Sequence, residues 1–394
     1  MKLSALLTVL ACLFVIGFSC KKPYSPTLIS ANQSYLVVDG VINSGSDSTI
    51  IYLSRTVKLI SRSFRNPETG AALKVESDKN DVYTLYETIP GKYIATNLNL
   101  PTDRNYRMRI FTADNKEYAS GYVENKITPP IDSVYATPLT TGVQFSVSTH
   151  DNINKTRYYR WDYIESWSYE MGEKASTLLY NNGNVVSRSQ DSLVNLCYKY
   201  PQHNSSVFLA SSNKLVQDVI NKSPLGYVDG STGKITNTYE LLLSQYALTP
   251  EAYKYWTLLK TNSEGLGTIT DPLPSQSITN IHCTTNPAEP VIGYVSVSTI
   301  AVKRVFLAGR NLPFAVNGLA KDSVSCGGGI IWMQPENTFL YRLHLLMASG
   351  DTLLVRYETG AKGLTGYSYE NAICSDCRLR GGTTTKPAYW PSGL

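Results

Sequence analysis

The sequence lacks a strong excess of charge of either sign. It contains 36 Lys and Arg residues against 31 Asp and Glu residues, a formal net charge of +5. Removal of residues 1–19, which contain one lysine, would leave 35 basic residues against 31 acidic ones. No basic stripe and no long charge run occurs along the chain. Because nucleic-acid binding requires a basic patch, we expect no nucleic acid among the partners.

Motifs of the well-known catalytic classes are also missing, among them H-E-x-x-H, G-x-S-x-G, G-x-x-x-x-G-K-[ST] and G-x-G-x-x-G. Glu165 and Glu170 lie in or beside a Trp-rich segment. A retaining glycosidase needs two carboxyl groups about 5 to 5.5 Å apart, and the sequence alone does not show that these two meet. The sequence therefore predicts no catalytic site and no cofactor, with a surface hydrolase as the least favoured alternative.

Long apolar runs are absent except at the start of the chain. Lys2 precedes an apolar run over residues 3–18, and Gly17, Phe18 and Ser19 lead to Cys20. This pattern is typical of a signal peptide that ends in a lipobox, and the run is shorter than the about 20 residues of a membrane span. We predict a signal peptide over residues 1–19, a lipidated Cys20 and a tether over residues 20–34. The alternative is ordinary cleavage, which would give a soluble secreted protein.

Cysteine is scarce: beyond Cys20, the mature chain would carry five. An exported protein meets an oxidising compartment, so disulfides are expected, and an odd number leaves at least one thiol free. Cys374 and Cys377 form a C-x-x-C pair that could bind zinc or act in redox chemistry, but export disfavours both. The sequence does not determine the pairing, and no metal site is predicted. The candidate disulfide cysteines are Cys197, Cys283, Cys326, Cys374 and Cys377.

The composition favours short strands joined by tight turns, with 28 Tyr residues and many Thr, Val and Ile residues. Seven alternating segments separated by turn residues predict a β-sandwich, immunoglobulin-like or transthyretin-like, over residues 35–128. In one of them Tyr106, Met108 and Ile110 share a face opposite Arg107 and Arg109. The predicted strands cover residues 35–42, 49–56, 73–76, 81–86, 92–95, 105–112 and 117–123.

Pro129 and Pro130 predict a stiff linker, after which a larger β-rich domain with short helices is expected over residues 131–394. The fold class is thus mainly β. Alternation over residues 158–169 places Trp161, Trp167 and Tyr169 on one strand face. Such a face is typical of a sandwich core, but it could instead stack on a ligand, so these three are also candidate ligand-contact residues.

Helices are predicted at two places in this second domain. Thr249, Pro250 and Glu251 suit the first turn of a helix over residues 249–262. Residues 211–223, before Pro224, could form a strand or a helix, and the apolar residues at 215, 216, 219 and 220 favour a short helix. Further strands are predicted over residues 330–333, 338–346 and 352–357.

Several segments resemble one family. They include residues 36–40, the paired tryptophans of residues 158–169, and the C-terminal runs 281–294, 303–306, 374–382 and 386–390. The chain resembles the Bacteroidota lipoprotein family called domain of unknown function 4249. The resemblance implies an outer-membrane lipoprotein that assists a TonB-dependent receptor in ligand capture or nutrient uptake. A structural or adhesive surface lipoprotein is the alternative. Lys21 and Lys22 follow the acylated cysteine, so the membrane face, periplasmic or surface, stays open.

Overall fold

The computed structural model describes residues 34–57, 66–172, 175–181, 183–264, 278–313, 316 and 326–392. These residues are mainly β, as the sequence predicts, with strands in five sheets and few helices. None of the helices in these ranges is both long and apolar enough to cross a membrane. Cys20 and the predicted signal and tether up to residue 33 lie outside the described residues.

All seven strands predicted in residues 35–128 are present. Residues such as Tyr106, Met108 and Ile110 are buried on one face of their strand, and Arg107 and Arg109 lie on the other. This alternation lets each strand bury one face while the other meets water. The strands are β1 (Leu36–Asn43), β2 (Thr49–Arg55), β3 (Asn66–Pro67), β4 (Ala72–Ser77), β5 (Val82–Ile89), β6 (Lys92–Ala95), β7 (Asn105–Phe111), β8 (Glu117–Ser120) and β9 (Val123–Glu124).

Strands from much later in the chain complete this sheet, a single sheet of twelve strands with one buried core, and we keep the name N-terminal sandwich for the whole. Leu36 pairs in parallel with Val291, and Ile281 pairs with Ser120 at the other end of the sheet. The boundary predicted at residue 131 assigns these later strands to the second domain, whereas the structure pairs them with the first. This pairing joins residues that are far apart in the sequence, so the local pattern around either strand does not predict it. The strands are β20 (Ile281–Cys283), β21 (Val291–Gly293) and β22 (Val297–Ser298).

The central body packs two further sheets face to face. Phe145, Trp161 and Tyr239 come from three different strands and share one buried core. The strands are β10 (Ile131–Pro138), β11 (Gly142–Asp151), β12 (Tyr158–Glu170), β15 (Leu196–Lys199), β16 (Gln202–His203), β17 (Phe208–Ser211), β18 (Asp218–Asp229), β19 (Thr238–Ala247), β23 (Ile300–Ala308) and β27 (Gly382–Thr383). One sheet has the order β10-β11-β18, and the other contains β23-β19-β12-β15-β27, with β16 and β17 also paired to β12.

The predicted helix over residues 249–262 is confirmed as α1 (Pro250–Glu264). The Thr249 hydroxyl accepts a hydrogen bond from the Ala252 backbone N–H at 3.2 Å. This satisfies one of the donors that the first turn of a helix leaves unpaired. Pro250 occupies the first helical position, where its missing N–H has no cost.

The C-terminal lobe is a smaller layer of three strands and a helix, joined by a hairpin from earlier in the chain. Its elements are β13 (Leu178–Asn181), β14 (Asn184–Ser187), β24 (Gly328–Trp332), α2 (Glu336–Met347), β25 (Thr352–Gly360), β26 (Gly363–Asn371) and α3 (Ala372–Ser375). Its sheet order is β24-β26-β25, and Leu178 of the hairpin packs with Phe339, Leu343 and Leu354.

Two predictions of secondary structure were wrong. The helix predicted over residues 211–223 is instead the end of β17, a turn and the start of β18. Buried Asp218 accepts hydrogen bonds there from the Tyr159 and Ser212 hydroxyls, a tertiary contact that overrides local helix propensity. The strand predicted over residues 338–346 lies within α2, where Phe339 and Leu343 are buried one turn apart.

Candidate ligand pocket

A cavity of about 640 Å³ opens at one end of the N-terminal sandwich. Its wall combines residues from the start of the described chain, from the ends of sandwich strands, and from the connection between β20 and β21. This composition makes it the principal candidate for a ligand site, and we call it the charged pocket. It is lined by Ser34, Tyr35, Arg55, Glu68, Ala113, Asp114, Lys116, Asn286, Ala288, Glu289 and Pro290.

Arg55, the last residue of β2, is at the centre of the pocket's polar network. Its Nε donates to Glu68 Oε2 at 2.6 Å, and its Nη1 lies 3.2 Å from the Tyr118 hydroxyl and 3.4 Å from Glu289 Oε1. Only 10% of its side chain is exposed. Burial alone would lower the pKa of the guanidinium, but the hydrogen bonds with Glu68 and Tyr118 raise that pKa above its ordinary value. Arg55 therefore stays charged and orders the carboxylates around it.

Glu289 brings the later part of the chain into the same network. Its carboxylate accepts hydrogen bonds from the Tyr118 hydroxyl at 2.6 Å and from Lys116 Nζ at 2.8 Å. Its side chain is 9% exposed. Burial would raise the pKa of this carboxyl, but Lys116 and Tyr118 hold that pKa below its ordinary value of 4.5. Glu289 is thus ionised at neutral pH, and it joins the β20–β21 connection to β2 and β8.

Local backbone structure explains these positions. Glu68 follows β3, and its backbone N–H donates to the Leu53 carbonyl at 3.0 Å. Asp114 lies in the turn between β7 and β8, where Asn115 has a φ of 60° and its N–H bonds the Thr112 carbonyl. Asn is one of the few residues that accept this backbone conformation at low cost. The turns therefore present side chains to the pocket while the sheet keeps them in place.

The pocket has five charged side chains: Arg55 and Lys116 are positive, and Glu68, Asp114 and Glu289 are negative, which gives a net charge of −1. The side chains of Glu289 and Arg55 are only 9% and 10% exposed, whereas Asp114 is 51% and Lys116 36% exposed. The buried charges already have partners, so they serve mainly to fix the wall. Asp114 and Lys116, whose charged atoms lie 3.6 Å apart, are the groups that a solute entering from water would meet.

The candidate ligand-contact aromatics are instead part of the core or its edge. Trp161 has no exposed surface, and its Nε1 donates to Gln245 Oε1 at 2.8 Å. Trp167 is 9% exposed, with Lys234 Nζ 4.8 Å from its ring centre, and the Tyr169 hydroxyl donates to the Cys377 carbonyl. A ring without accessible surface cannot contact a ligand, so the prediction that Trp161 could stack on a ligand is wrong.

The cysteines form two disulfides, which the sequence predicted without their pairing. Cys197 bonds Cys377, and Cys326 bonds Cys374. Cys283 is a buried free thiol in β20. The C-x-x-C pair is therefore split between two different partners. Among the described residues, no group of three or more His, Cys, Asp and Glu side chains is arranged to hold a metal ion.

Glu165 and Glu170 do not form a catalytic pair. They are five positions apart on β12, and side chains an odd number of positions apart on a strand point to opposite faces. Glu165 accepts hydrogen bonds from Lys234 Nζ at 2.5 Å and from the Tyr239 hydroxyl at 2.7 Å, which ties it into the core. Glu170, at the end of the strand, is exposed. The structure therefore gives the hydrolase alternative no carboxylate pair at this site.

Sequence reasoning missed the charged pocket. Its charged residues are separated by up to 234 positions along the chain, as Arg55 and Glu289 are. The signal that could have found it is the segment with Asn286 and Pro287 followed by Glu289 and Pro290, because a carboxylate flanked by prolines sits in a stiff loop. That segment contributed to the family resemblance but was not interpreted as part of a site.

The sheets, the buried aromatic core and the two disulfides define a mainly β protein built of packed sheets. A family model described as "Domain of unknown function (DUF4249)" matches residues 21–304, and the chain belongs to this family. All residues that line the charged pocket lie within this match. No curated protein matches the chain.

Solved structures show weak similarity. A Salmonella alpha-2-macroglobulin mutant is 11% identical with a TM-score of 0.18, over 75% of this chain and 15% of that chain. An Escherichia coli alpha-2-macroglobulin activated by porcine elastase is 10% identical with a TM-score of 0.18, over 56% and 19%. The Yersinia pseudotuberculosis adhesin InvE is 14% identical with a TM-score of 0.14, over 54% and 55%. Similarity at this level carries no argument about function.

Proposed function

We propose that this protein is a lipid-anchored outer-membrane protein that captures a small polar ligand and presents it to a TonB-dependent receptor. The anchor is proposed from Cys20 and the apolar segment before it. A single tether confines the protein to two dimensions and raises its effective concentration near a receptor, so a large interface is not needed.

The observation that carries the ligand-capture part is the charged pocket. Its volume of about 640 Å³ lies within the roughly 300 to 1,000 Å³ that is usual for small-molecule sites. The wall is fixed by buried ion pairs, and its accessible groups are the Asp114 carboxylate and the Lys116 ammonium. With a balance of −1 and both signs at the mouth, the pocket favours a zwitterion or a small cation over an anion.

The receptor part is tested by mild detergent extraction of the tagged protein from its native outer membrane, followed by affinity purification and mass spectrometry. We expect a TonB-dependent receptor in a near one-to-one ratio. The matched control is Cys20→Ala, which removes the acyl anchor and leaves residues 21–394 unchanged, so recovery of the receptor should fall. Recovery of no receptor, under conditions that keep other barrel complexes intact, would contradict this part and favour a free-standing surface lipoprotein.

The ligand part has a separate test. Native mass spectrometry of the purified protein should detect a bound small molecule, and Asp114→Asn with Lys116→Met should lose it. The control is the exposed pair Lys79 and Asp103 elsewhere on the sandwich, changed in the same way, which should keep the ligand. A ligand retained equally by both double variants would place its site outside the charged pocket.

A further inference from the structure

A second concave surface lies on the C-terminal lobe, and we call it the lobe groove. It has a volume of about 410 Å³ and is mostly apolar. It forms where α2 crosses the first strand of the lobe sheet, and residues 305–394, which supply all of its lining, lie outside the family match. The lining residues are Ile330, Ile331, Trp332, Arg342, Leu345, Leu346 and Tyr369.

The groove runs along the edge of β24 rather than over one face of the sheet. Successive side chains of a strand point to opposite faces, yet Ile330, Ile331 and Trp332 all line the groove. Within the described part of the chain, β24 pairs only with β26. The Trp332 carbonyl on its outer edge accepts a hydrogen bond from Arg342, so among the described residues it is the edge of residues 328–331 that is open to a further strand. These residues include no Lys or Pro of the kind that blocks such pairing.

The rim of the groove exposes apolar surface. Trp332 is 49% exposed, Leu345 is 63% exposed and Tyr341, one helical turn from Leu345, is 72% exposed. Side chains of this size are usually buried, and a cluster of them beside an open strand edge is typical of a binding surface. The combination of an open edge and an adjoining apolar groove is the arrangement that recognises peptides by strand addition.

Arg342 is the charged residue among those that line the groove. Its Nη2 donates to the Trp332 and Gln334 carbonyls at 2.9 and 3.1 Å, which holds the guanidinium against β24. Arg342 forms no ion pair with a carboxylate of the described residues. A guanidinium beside apolar side chains gains strongly from a carboxylate, because charge-assisted hydrogen bonds are stronger than neutral ones. The electrostatics of the groove therefore favour a ligand with one negative charge.

We propose that the lobe groove binds an extended apolar peptide segment of a partner protein, which adds as a strand to the edge of β24 and places a carboxylate on Arg342. Main-chain hydrogen bonds to β24 supply the affinity, and the apolar groove and Arg342 supply the specificity. This surface adds a protein-binding site to the molecule and does not depend on the charged pocket or on Cys20.

The test uses the purified mature chain and three pools of eight-residue peptides with random Ile, Val, Thr, Leu and Phe. One pool has a free C-terminus, one is amidated, and one is amidated with a single Glu near its end. We expect about tenfold enrichment of a carboxylate pool over the uncharged pool, as a charge-assisted hydrogen bond supplies. The two carboxylate pools distinguish a terminal from a side-chain carboxylate. Hydrogen exchange should show bound peptide protecting residues 328–332.

Two variants complete the test. Arg342→Gln should remove the preference for carboxylates. Leu345→Asp should abolish binding, because it places a charge in the apolar groove. Since Leu345 is exposed, this variant should still fold. The matched control is Ile89→Asp, an exposed apolar residue of the N-terminal sandwich, which should bind as the unchanged protein does. Absence of peptide binding, equal enrichment of all three pools, or protection elsewhere than β24 would overturn the proposal.

Discussion

The N-terminal sandwich and the C-terminal lobe are held together by different interactions. The sandwich is closed by strands more than 200 positions apart, because β1 pairs with β21, and by buried ion pairs around Arg55. The lobe sheet is built from residues 328–371 and is fastened by Cys326–Cys374, while Cys197–Cys377 joins the chain just beyond it to β15. Small layers with little core usually need such covalent support.

The difference extends to the surfaces that each region offers. The charged pocket lies in the part of the chain that the family model matches, and the lobe groove lies outside it. The pocket presents charges with partners already in place, whereas the groove presents apolar side chains and an open strand edge. The comparison predicts that a disturbance of one region leaves the other intact, and the following variants test this independence.

The largest effect is expected from Gly293→Ala in β21. Gly293 has a φ of +128°, and an added Cβ would lie 2.1 Å from the Val38 carbonyl oxygen of β1. Both the backbone strain and the clash oppose the parallel pairing, so we expect a loss of roughly 3 to 5 kcal/mol of unfolding free energy. Chemical denaturation measures it, with exchange protection lost in β1 and kept in β24.

The control for this variant is Gly70→Ala. Gly70 also has a positive φ, of +68°, but an added Cβ would meet nothing within 4 Å. It should therefore show the backbone cost alone, about 1 to 2 kcal/mol. Equal losses in the two variants would mean that the contact between β21 and β1 contributes little to closure of the sandwich.

The next largest effect concerns the lobe. Removal of Cys326–Cys374 by the double change to Ala opens a link across 48 positions, and we expect a loss of about 2 to 4 kcal/mol in the lobe. Limited proteolysis should cut within residues 328–371 while the sandwich stays resistant. If the sandwich lost protection to the same extent, the two regions would form one cooperative unit, contrary to the comparison.

Local sequence patterns predicted the sandwich strands well because each carries its own alternation, as Tyr106, Met108 and Ile110 do. They predicted α1 from Thr249 and Pro250, whose effects act within one turn. They did not predict the pairing of Leu36 with Val291, since no residue between them encodes it. The charged pocket was missed for the same reason: it exists only once that pairing brings Glu289 to Arg55.

The errors in the second half of the chain have a different physical origin. In α2 the apolar residues fit a strand or a helix over a short run, and burial of Phe339 and Leu343 against the lobe sheet decides for the helix. At residues 211–223 the polar contacts of Asp218 decide for strands. In both places tertiary contacts, which a single sequence does not display, outweigh local preference.

A smaller effect is expected from Glu289→Gln in the charged pocket. The amide keeps the shape of the side chain but removes the charge that faces Lys116 at 2.8 Å and Arg55 at 3.4 Å. Since a mostly buried charge pair loses one partner while Glu68 still neutralises Arg55, we expect a loss of about 2 kcal/mol. The same denaturation experiment measures it. An unchanged stability would show that the Glu289 contacts only shape the pocket.

The smallest effect is the dependence of this contribution on pH. The pKa of the Glu289 carboxyl is lower in the folded protein than its ordinary value of 4.5, so the unfolded chain binds the proton more tightly. The stabilisation is therefore complete above about pH 5 and is lost as the pH falls through the folded pKa. Between pH 6 and pH 3, Glu289→Gln should lose less stability than the unchanged protein, and the two curves should converge at low pH. A gap that stayed constant over this range would mean that the Glu289 carboxyl has the same pKa in the folded and the unfolded chain, so that its charge would contribute nothing and the effect of the variant would be steric.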